Sequence, residues 1–552
     1  MNTTDYVNIA SALDTTAQET PDKLAILYPE SRDNKGEVTY SSYTFQQLLE
    51  QTNIIADGLE KFGIKKGCRT VLMVTPSLEF FALTFALFKA GIVPVMIDPG
   101  MGTKNLKTCI AEAEPEAFIG IPKAHVARIL FGWGKKTIKK NVTVGNKFLW
   151  GGTTLEEIKK QGKADYQNAK TRKDDIAAIL FTSGSTGVPK GVVYNQGNFV
   201  AQVEMLKSIY KISPGEIDLP TFPLFALFDP ALGMTTVIPE MDFTAPAKAD
   251  PERLIYAIER FGITNMFGSP ALLNTLSRYG EKNNIKLKSM KRVISAGAPV
   301  SAVILERMTK LLTDEARIFT PYGATESLPI CSIDNIEILK DTKNLTDIGK
   351  GVCVGKPVKG IEVDIIKITD EPITDWSENL KINKGEIGEI VVNGDNVTSS
   401  YYNRESSNKI AKMKNPDGTI RHRMGDLGYL DDQGRIWFCG RKAHRVITDS
   451  ETLFTITCEA IFNTYPEVFR SALVGAKVKG KVIPVICIEL ESNSSNYDRG
   501  IIQKDLLQLA QKFEHTKNIK TVLFHESFPV DIRHNAKIFR EKLAVWAENN
   551  LK

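Results

Sequence analysis

The sequence predicts an α/β protein with a large multi-sheet N-terminal domain over residues 1–440 and a small α+β C-terminal domain over residues 441–552. Three observations carry this. The 552 residues exceed the size at which one hydrophobic core keeps growing. From about residue 37 to 450, helical periodicity alternates with short β-branched runs. Near 428–445 the composition shifts: in GYLDDQGRIWFCGRKAHR, Asp431, Asp432 and Gly434 turn one strand into another, and a Gly440-Arg441-Lys442 step follows.

The elements follow from pattern. The runs VLMV (71–74), VPVMI (93–97), AAIL (177–180) and RVIS (292–295) read as buried strands, which predicts largely parallel sheets. Residues 80–97 are the most apolar stretch, but Lys89, Gly91 and Pro94 interrupt it and Asp98 bounds it. This reads as a core helix followed by a buried strand, not as a membrane span. Past the boundary, helical CEAIFNTYPEV, strands SALVGA and VIPVICIEL, and a helix from Lys504 to Phe513 make the α+β unit.

Composition narrows the function. With 42% hydrophobic and 24% charged residues the chain is neither disordered nor fibrous. Its 70 basic and 65 acidic residues leave only +5, without blocks of like charge, so nucleic acid is not an expected partner. The 7 cysteines are scattered and form no Cys-x-x-Cys pair, which predicts a reducing, cytoplasmic compartment and no structural zinc. The N-terminus lacks the basic start and apolar run of a secretory signal, and no transmembrane segment is expected.

The chemistry concentrates in AAILFTSGSTGVPKGVVY (177–194), a strand entering a loop with Thr182, Ser183, Gly184, Ser185, Thr186, Gly187 and Lys190. Glycines let backbone N–H groups approach closely, hydroxyls donate hydrogen bonds and the lysine adds charge, which together cradle a polyphosphate. A Gly-rich turn in isolation is often an ordinary loop; the strand context favours the cradle. A Walker-type loop fails, because Gly184 and Gly187 are too close and Gly191 follows Lys190 where a hydroxyl is needed. A dinucleotide fold fails on the spacing of GKGVCVG (349–355), and neither G-x-S-x-G nor H-E-x-x-H occurs.

This loop resembles that of the adenylate-forming superfamily of acyl-CoA synthetases, luciferases and peptide-synthetase adenylation domains. The likeness continues in order through SAGAP (295–299), PYGATE (321–326), GEIGEIVVNG (385–394), GDLGYLDDQG (425–434), GR (440–441) and NAKIFREKL (535–543). It implies an N-terminal AMP-binding adenylation domain closed by a C-terminal lid, using ATP and Mg²⁺ to activate a carboxylic acid as acyl-AMP. By the same resemblance Glu326 holds Mg²⁺ and Thr325 hydrogen-bonds phosphate. Tyr322, Gly323 and the backbone of Gly297 and Ala298 enclose adenine. Asp426 accepts the ribose hydroxyls beside Arg441, and Lys537 is the lid lysine that bridges carboxylate, ribose and α-phosphate.

Two departures from acyl-CoA ligases stand out. Where those enzymes read roughly GRxDxxxKxxG, this chain reads GRKAHRVITDS, with Ala443, Ile447 and Ser450 in the hinge, lysine and glycine places; ETLFTITCEA replaces the acidic-glycine stretch that follows. In TFPLFALFDPALGM (221–234), Ala226 stands where such ligases carry histidine, among Phe222, Phe225 and Phe228, which suit a long alkyl substrate. These segments, with VDIRHNAKIFREKLAVWAE, look like one branch, the olefin-biosynthesis β-lactone synthetases. That resemblance implies a 2-alkyl-3-hydroxyalkanoic acid, a long-chain 3-hydroxy acid, whose 3-hydroxyl attacks the adenylated carboxyl to expel AMP and close a β-lactone. It also implies pathway neighbours: a thiolase-like condensing enzyme, a reductase and a lactone decarboxylase. The base for ring closure is not identified, although His444 and His534 fall in or near lid motifs. A long-chain acyl-CoA or acyl-carrier ligase is the alternative, and a catalytically silent nucleotide-binding scaffold a lesser one.

Overall fold

The computed structural model describes residues 6–182, 189–222, 226–491, 498–530 and 538–551. Among these, an eight-stranded sheet is built on the parallel strands Arg69–Met73, Val93–Ile97, Ala117–Gly120, Lys140–Thr143, Thr153–Thr154 and Ile176–Thr182. Lys190–Asn195 returns antiparallel along Ile176–Thr182, with Thr182 opposite Lys190, and Ser400–Tyr401 closes that edge. The phosphate-loop motif therefore spans the connection between two antiparallel strands. Its residues Ser183, Gly184, Ser185, Thr186 and Gly187 lie outside the described residues.

The apolar stretch at 80–97 forms the helix Leu78–Lys89 and the strand Val93–Ile97. Ser77 caps the helix by accepting from the Phe80 N–H, and its flanks are buried nearly all round, as a core helix requires. Lys89 is compatible with this because its ammonium, 2.5 Å from Asp14 Oδ1, is paired inside the protein.

The larger sheet has fourteen strands among the described residues, and fewer than half of its pairings are parallel. Ile217–Pro220, Thr235–Val237, Asn265–Phe267, Arg292–Ile294 and Arg317–Ala324 run parallel, joined through helices such as Pro251–Phe261 and Ala302–Leu311. From Ser327 to Arg441 the pairings are antiparallel, which corrects the expectation of largely parallel sheets. Short turns account for part of it. Between Ile420–Leu430 and Ile436–Arg441, Asp431 Oδ1 accepts from the N–H groups of Gln433 and Arg435, each at 2.9 Å, and a tight turn can join only antiparallel neighbours.

The smaller C-terminal domain packs the helices Thr455–Phe462, Arg499–Ala510 and Arg540–Asn550 on a three-stranded sheet, Val468–Val478, Lys481–Leu490 and Thr521–Phe524. Lys479 and Gly480, with φ of 48° and 79°, form the two-residue turn of its long hairpin, a conformation that matches strand twist. The helix expected from Lys504 to Phe513 begins earlier, at Arg499, because Asp498 caps it by accepting from the Gly500 N–H. Among the described residues no helix is long and apolar enough to cross a membrane.

Candidate active site

A cavity of about 2320 Å³ lies at the C-terminal ends of the parallel strands, where Ile97, Phe222, Ser295 and Tyr322 meet Gly440, His444, Glu459 and Arg540 from the C-terminal side. Strand ends in α/β sheets collect ligand sites because the chain leaves the sheet there in loops with free backbone groups. The cavity brings together Lys190, Gly297, Ala298, Tyr322, Gly323, Thr325, Glu326, Asp426 and Arg441 from distant segments. Phe222 and Phe228 line the same space; Phe225 and Lys537 lie outside the described residues, although Ile538 and Arg540 of the NAKIFREKL segment reach the wall.

One cluster centres on Asp426, whose side chain is 4% exposed. Tyr322 donates its hydroxyl to Asp426 Oδ2 at 2.6 Å. Arg441, the cross-strand neighbour of Asp426, brings Nη1 to 3.1 Å from Oδ1 as an ion pair, yet Oδ1 accepts no hydrogen bond. Burial pushes the Asp426 carboxyl above its ordinary range, and Arg441 opposes the shift. The Tyr322 phenol is held well above its usual value by burial and by Asp426, so it stays a donor. A buried carboxylate oxygen without a donor suits a ligand hydroxyl. The chain passes close by: a Cβ on Gly323 would sit 2.7 Å from the Ser327 carbonyl.

The second cluster holds Glu326. Tyr401 donates to Glu326 Oε1 at 2.6 Å, and burial followed by the charge of Glu326 keeps that phenol protonated. Lys190 Nζ stands 4.9 Å from the centroid of the Tyr401 ring. The Glu326 carbonyl accepts from Thr398 N at 2.9 Å and Thr398 Oγ1 at 3.0 Å, and Lys412 Nζ anchors Thr398 through its carbonyl at 2.5 Å. Tyr194 fixes the neighbouring Thr325 carbonyl at 2.5 Å. Sequence reasoning missed Tyr401, Thr398 and Lys412, since none belongs to a recognisable motif. Among the described residues no three His, Cys, Asp or Glu side chains gather as a metal cage. A magnesium ion fits Glu326 only with phosphate oxygens and water as its other ligands.

The acyl side is aromatic and aliphatic. Phe199 lies between Phe88 and Phe228, each centroid 5.5 Å away, and Phe222 sits 6.5 Å from Phe267. Ala226 packs into the core at 1% exposure. On the C-terminal side Lys442 reaches Glu389 at 3.0 Å, where Arg423 also bonds the same carboxylate, and Arg445 pairs with Asp370 at 2.5 Å.

Residues 13–402 match the family described as AMP-binding enzyme, to which the chain belongs. It is 48% identical over 550 residues to the olefin beta-lactone synthetase of Xanthomonas campestris pv. campestris, covering 99% of this chain and 98% of that protein. It is 49% identical over 551 residues to the olefin beta-lactone synthetase of Stenotrophomonas maltophilia, with the same coverage, and it groups with these enzymes. The fold is that of the amide bond synthetase from Marinactinospora thermotolerans, at 20% identity and a TM-score of 0.78 over 98% of this chain and 99% of that one. It is likewise that of o-succinylbenzoate CoA synthetase from Bacillus subtilis, solved with its acyl-adenylate intermediate, at 21% identity and a TM-score of 0.74 over 96% and 97% of the two chains.

Proposed function

We propose that the protein uses ATP to adenylate a 2-alkyl-3-hydroxyalkanoic acid, releasing pyrophosphate, and that the 3-hydroxyl then attacks the acyl carbon, expelling AMP and closing a β-lactone in long-chain olefin formation. The observation that carries this reading is a single cavity lined by Asp426, whose Oδ1 accepts no hydrogen bond, and by the Phe199, Phe222 and Phe228 aromatics. The relatives named olefin beta-lactone synthetase support the product.

In this reading Asp426 takes the ribose hydroxyls, with Arg441 balancing its charge, and Tyr322, Gly323, Gly297 and Ala298 border the adenine. Thr182 through Gly187 and Lys190 hold the phosphates, and Thr325 bonds the α-phosphate. Magnesium at Glu326 would neutralise the departing pyrophosphate. Lys537 bridges the carboxylate and α-phosphate in the transition state, where a fixed charge contributes most. The lid begins after Gly440, where the strand Ile436–Arg441 ends. The ties of Lys442 to Glu389 and Arg445 to Asp370 bracket Ala443, the hinge place of acyl-CoA ligases, and they favour one working lid position. A tethered hydroxyl needs no second acceptor site, because its effective concentration can reach about 10⁵ M or more. The enzyme acts in the cytoplasm, beside other enzymes of the olefin pathway.

The test supplies a synthetic 2-alkyl-3-hydroxy acid with ATP and Mg²⁺. The expected products are AMP, pyrophosphate and a neutral product one water lighter than the acid, with no change on adding CoA. A CoA thioester would make the protein an acyl-CoA ligase, and ADP with phosphate would exclude adenylation.

A further inference from the structure

Three polar side chains interrupt the apolar wall of the cavity: Asp218 on Ile217–Pro220, Asp229 at the start of Asp229–Leu232, and Asn265 on Asn265–Phe267. They are 3%, 4% and 5% exposed. Leu232 and Met234 flank them in the same wall. Asn265 stands opposite Asp218 in the parallel register and donates its amide N–H to Asp218 Oδ1. Thr236 donates to Asp229 Oδ2 at 2.9 Å, and the two carboxyls lie close enough to act on each other's ionisation. Arg292, whose charge acts on Asp218, is already committed to Glu216.

Two desolvated carboxyls in contact cannot both ionise, so the pair shares one proton and carries one negative charge. Burial is the main cause, and it raises Asp229 well above the ordinary carboxylate range. A wall shaped only for alkyl chains gains nothing from such a charge. A separate observation points to a ligand: Asn265 lines the same cavity, and its buried Oδ1 accepts no hydrogen bond. A ligand that offers an O–H donor satisfies it.

We infer that Asp218, Asp229 and Asn265 form a subsite for the hydroxyl of the substrate, and that the carboxyl pair takes the proton from that hydroxyl as the ring closes. The step balances without a further reactant. The hydroxyl O–H bond breaks with its proton passing to the pair, the oxygen bonds the acyl carbon, and the bond from that carbon to AMP breaks. Proton transfer by a positioned base contributes typically 10²- to 10⁴-fold, so its loss is measurable. This rests on the proposed lactone-forming activity.

The experiment compares wild type with Asp218→Asn and Asp229→Asn, using a 2-alkyl-3-hydroxy acid and the matching acid without the hydroxyl. With saturating hydroxy acid, release of the first equivalent of pyrophosphate should be slowed far less in both variants than lactone release is. Lactone release should fall by roughly 100-fold or more, with acyl-AMP accumulating on the enzyme. Asn265→Ala keeps both carboxyls and should weaken binding of the hydroxy acid while leaving that of the deoxy acid unchanged. Should the Asn variants not fold, wild type loaded with preformed acyl-AMP gives the answer: lactone release should rise with pH as the pair passes from its doubly protonated form to the singly charged one, with Arg292 and Glu216 behind the pair staying paired. Lactone release by the variants within a few-fold of wild type, equal slowing with both acids, or a flat pH profile would overturn the subsite alone. Absence of lactone from wild type would overturn the proposed function as well.

Discussion

The Tyr401 hydroxyl donates to Glu326 Oε1 at 2.6 Å, so a phenol from an edge strand of the eight-stranded sheet holds a carboxylate carried just past a strand of the other sheet. The bond joins the two large sheets at the place proposed for magnesium and phosphate. Tyr401→Phe removes it without changing the ring that Lys190 and Lys412 face. Hydrogen bonds to charged groups contribute about 1.5–3 kcal/mol, so first-turnover pyrophosphate release should slow by roughly 10- to 100-fold. A rate within two-fold of wild type would remove Tyr401 from the site.

Asp426 offers a sugar-specific test. Its Oδ1 accepts no hydrogen bond in the cavity, and ribose hydroxyls are the donors proposed to fill it. Asp426→Ala should raise KM for ATP by about 10- to 100-fold. Wild type should discriminate against 2′,3′-dideoxy-ATP, and the variant should treat both nucleotides alike. Because burial raises the Asp426 carboxyl, KM for ATP in wild type should climb as pH falls through that raised range, since only the ionised oxygen is a full acceptor. Discrimination that persists in the variant would place the ribose elsewhere.

Much of this was legible in the sequence because motifs report local chemistry. The segments at 295–299, 321–326 and 425–434 each reach the cavity, and the helix and strand at 80–97 were readable from periodicity and length. Pairing direction was legible only in part: the β-branched runs at 71–74, 93–97, 177–180 and 292–295 lie in strands that pair in parallel, whereas the strands from Ser327 to Arg441 are antiparallel. The supports of the site were not legible at all. Tyr401 lies 75 residues from Glu326, and Asp218 lies 47 from Asn265, separations at which no periodicity or spacing rule operates.

Lys537 belongs to the NAKIFREKL segment, and its neighbour Arg540 grips Glu459 at 2.6 Å on the cavity wall. A lid lysine acting on the α-phosphate should matter in the transition state more than in binding. Lys537→Ala should therefore lower kcat by roughly 10²-fold or more with little change in KM for ATP. A kcat within a few-fold of wild type would mean another cation serves the α-phosphate.

Lys412 combines a structural and an electrostatic prediction. Its ammonium is buried on the Thr398 carbonyl at 2.5 Å and hydroxyl at 3.2 Å, and it stands opposite His422 in the strand register. Desolvation lowers the lysine to about 7, with Glu326 opposing the shift, and burial together with Lys412 holds His422 well below its usual value. The sign follows from proton binding. In the unfolded chain the lysine stays protonated to about pH 10.4, so between about pH 7 and 10 the unfolded state binds more protons and folding gains stability as pH rises. Lys412→Met retains most of the stem volume and has no proton to lose. Thermal melts from pH 7 to 9 should show wild type gaining on the variant with each step, and the variant should also need more Mg²⁺ for half-maximal pyrophosphate release, because Thr398 no longer fixes the Glu326 carbonyl as firmly. Parallel melting curves across that range would mean that Lys412 titrates as an ordinary surface lysine does, and the buried position assigned to it would be wrong.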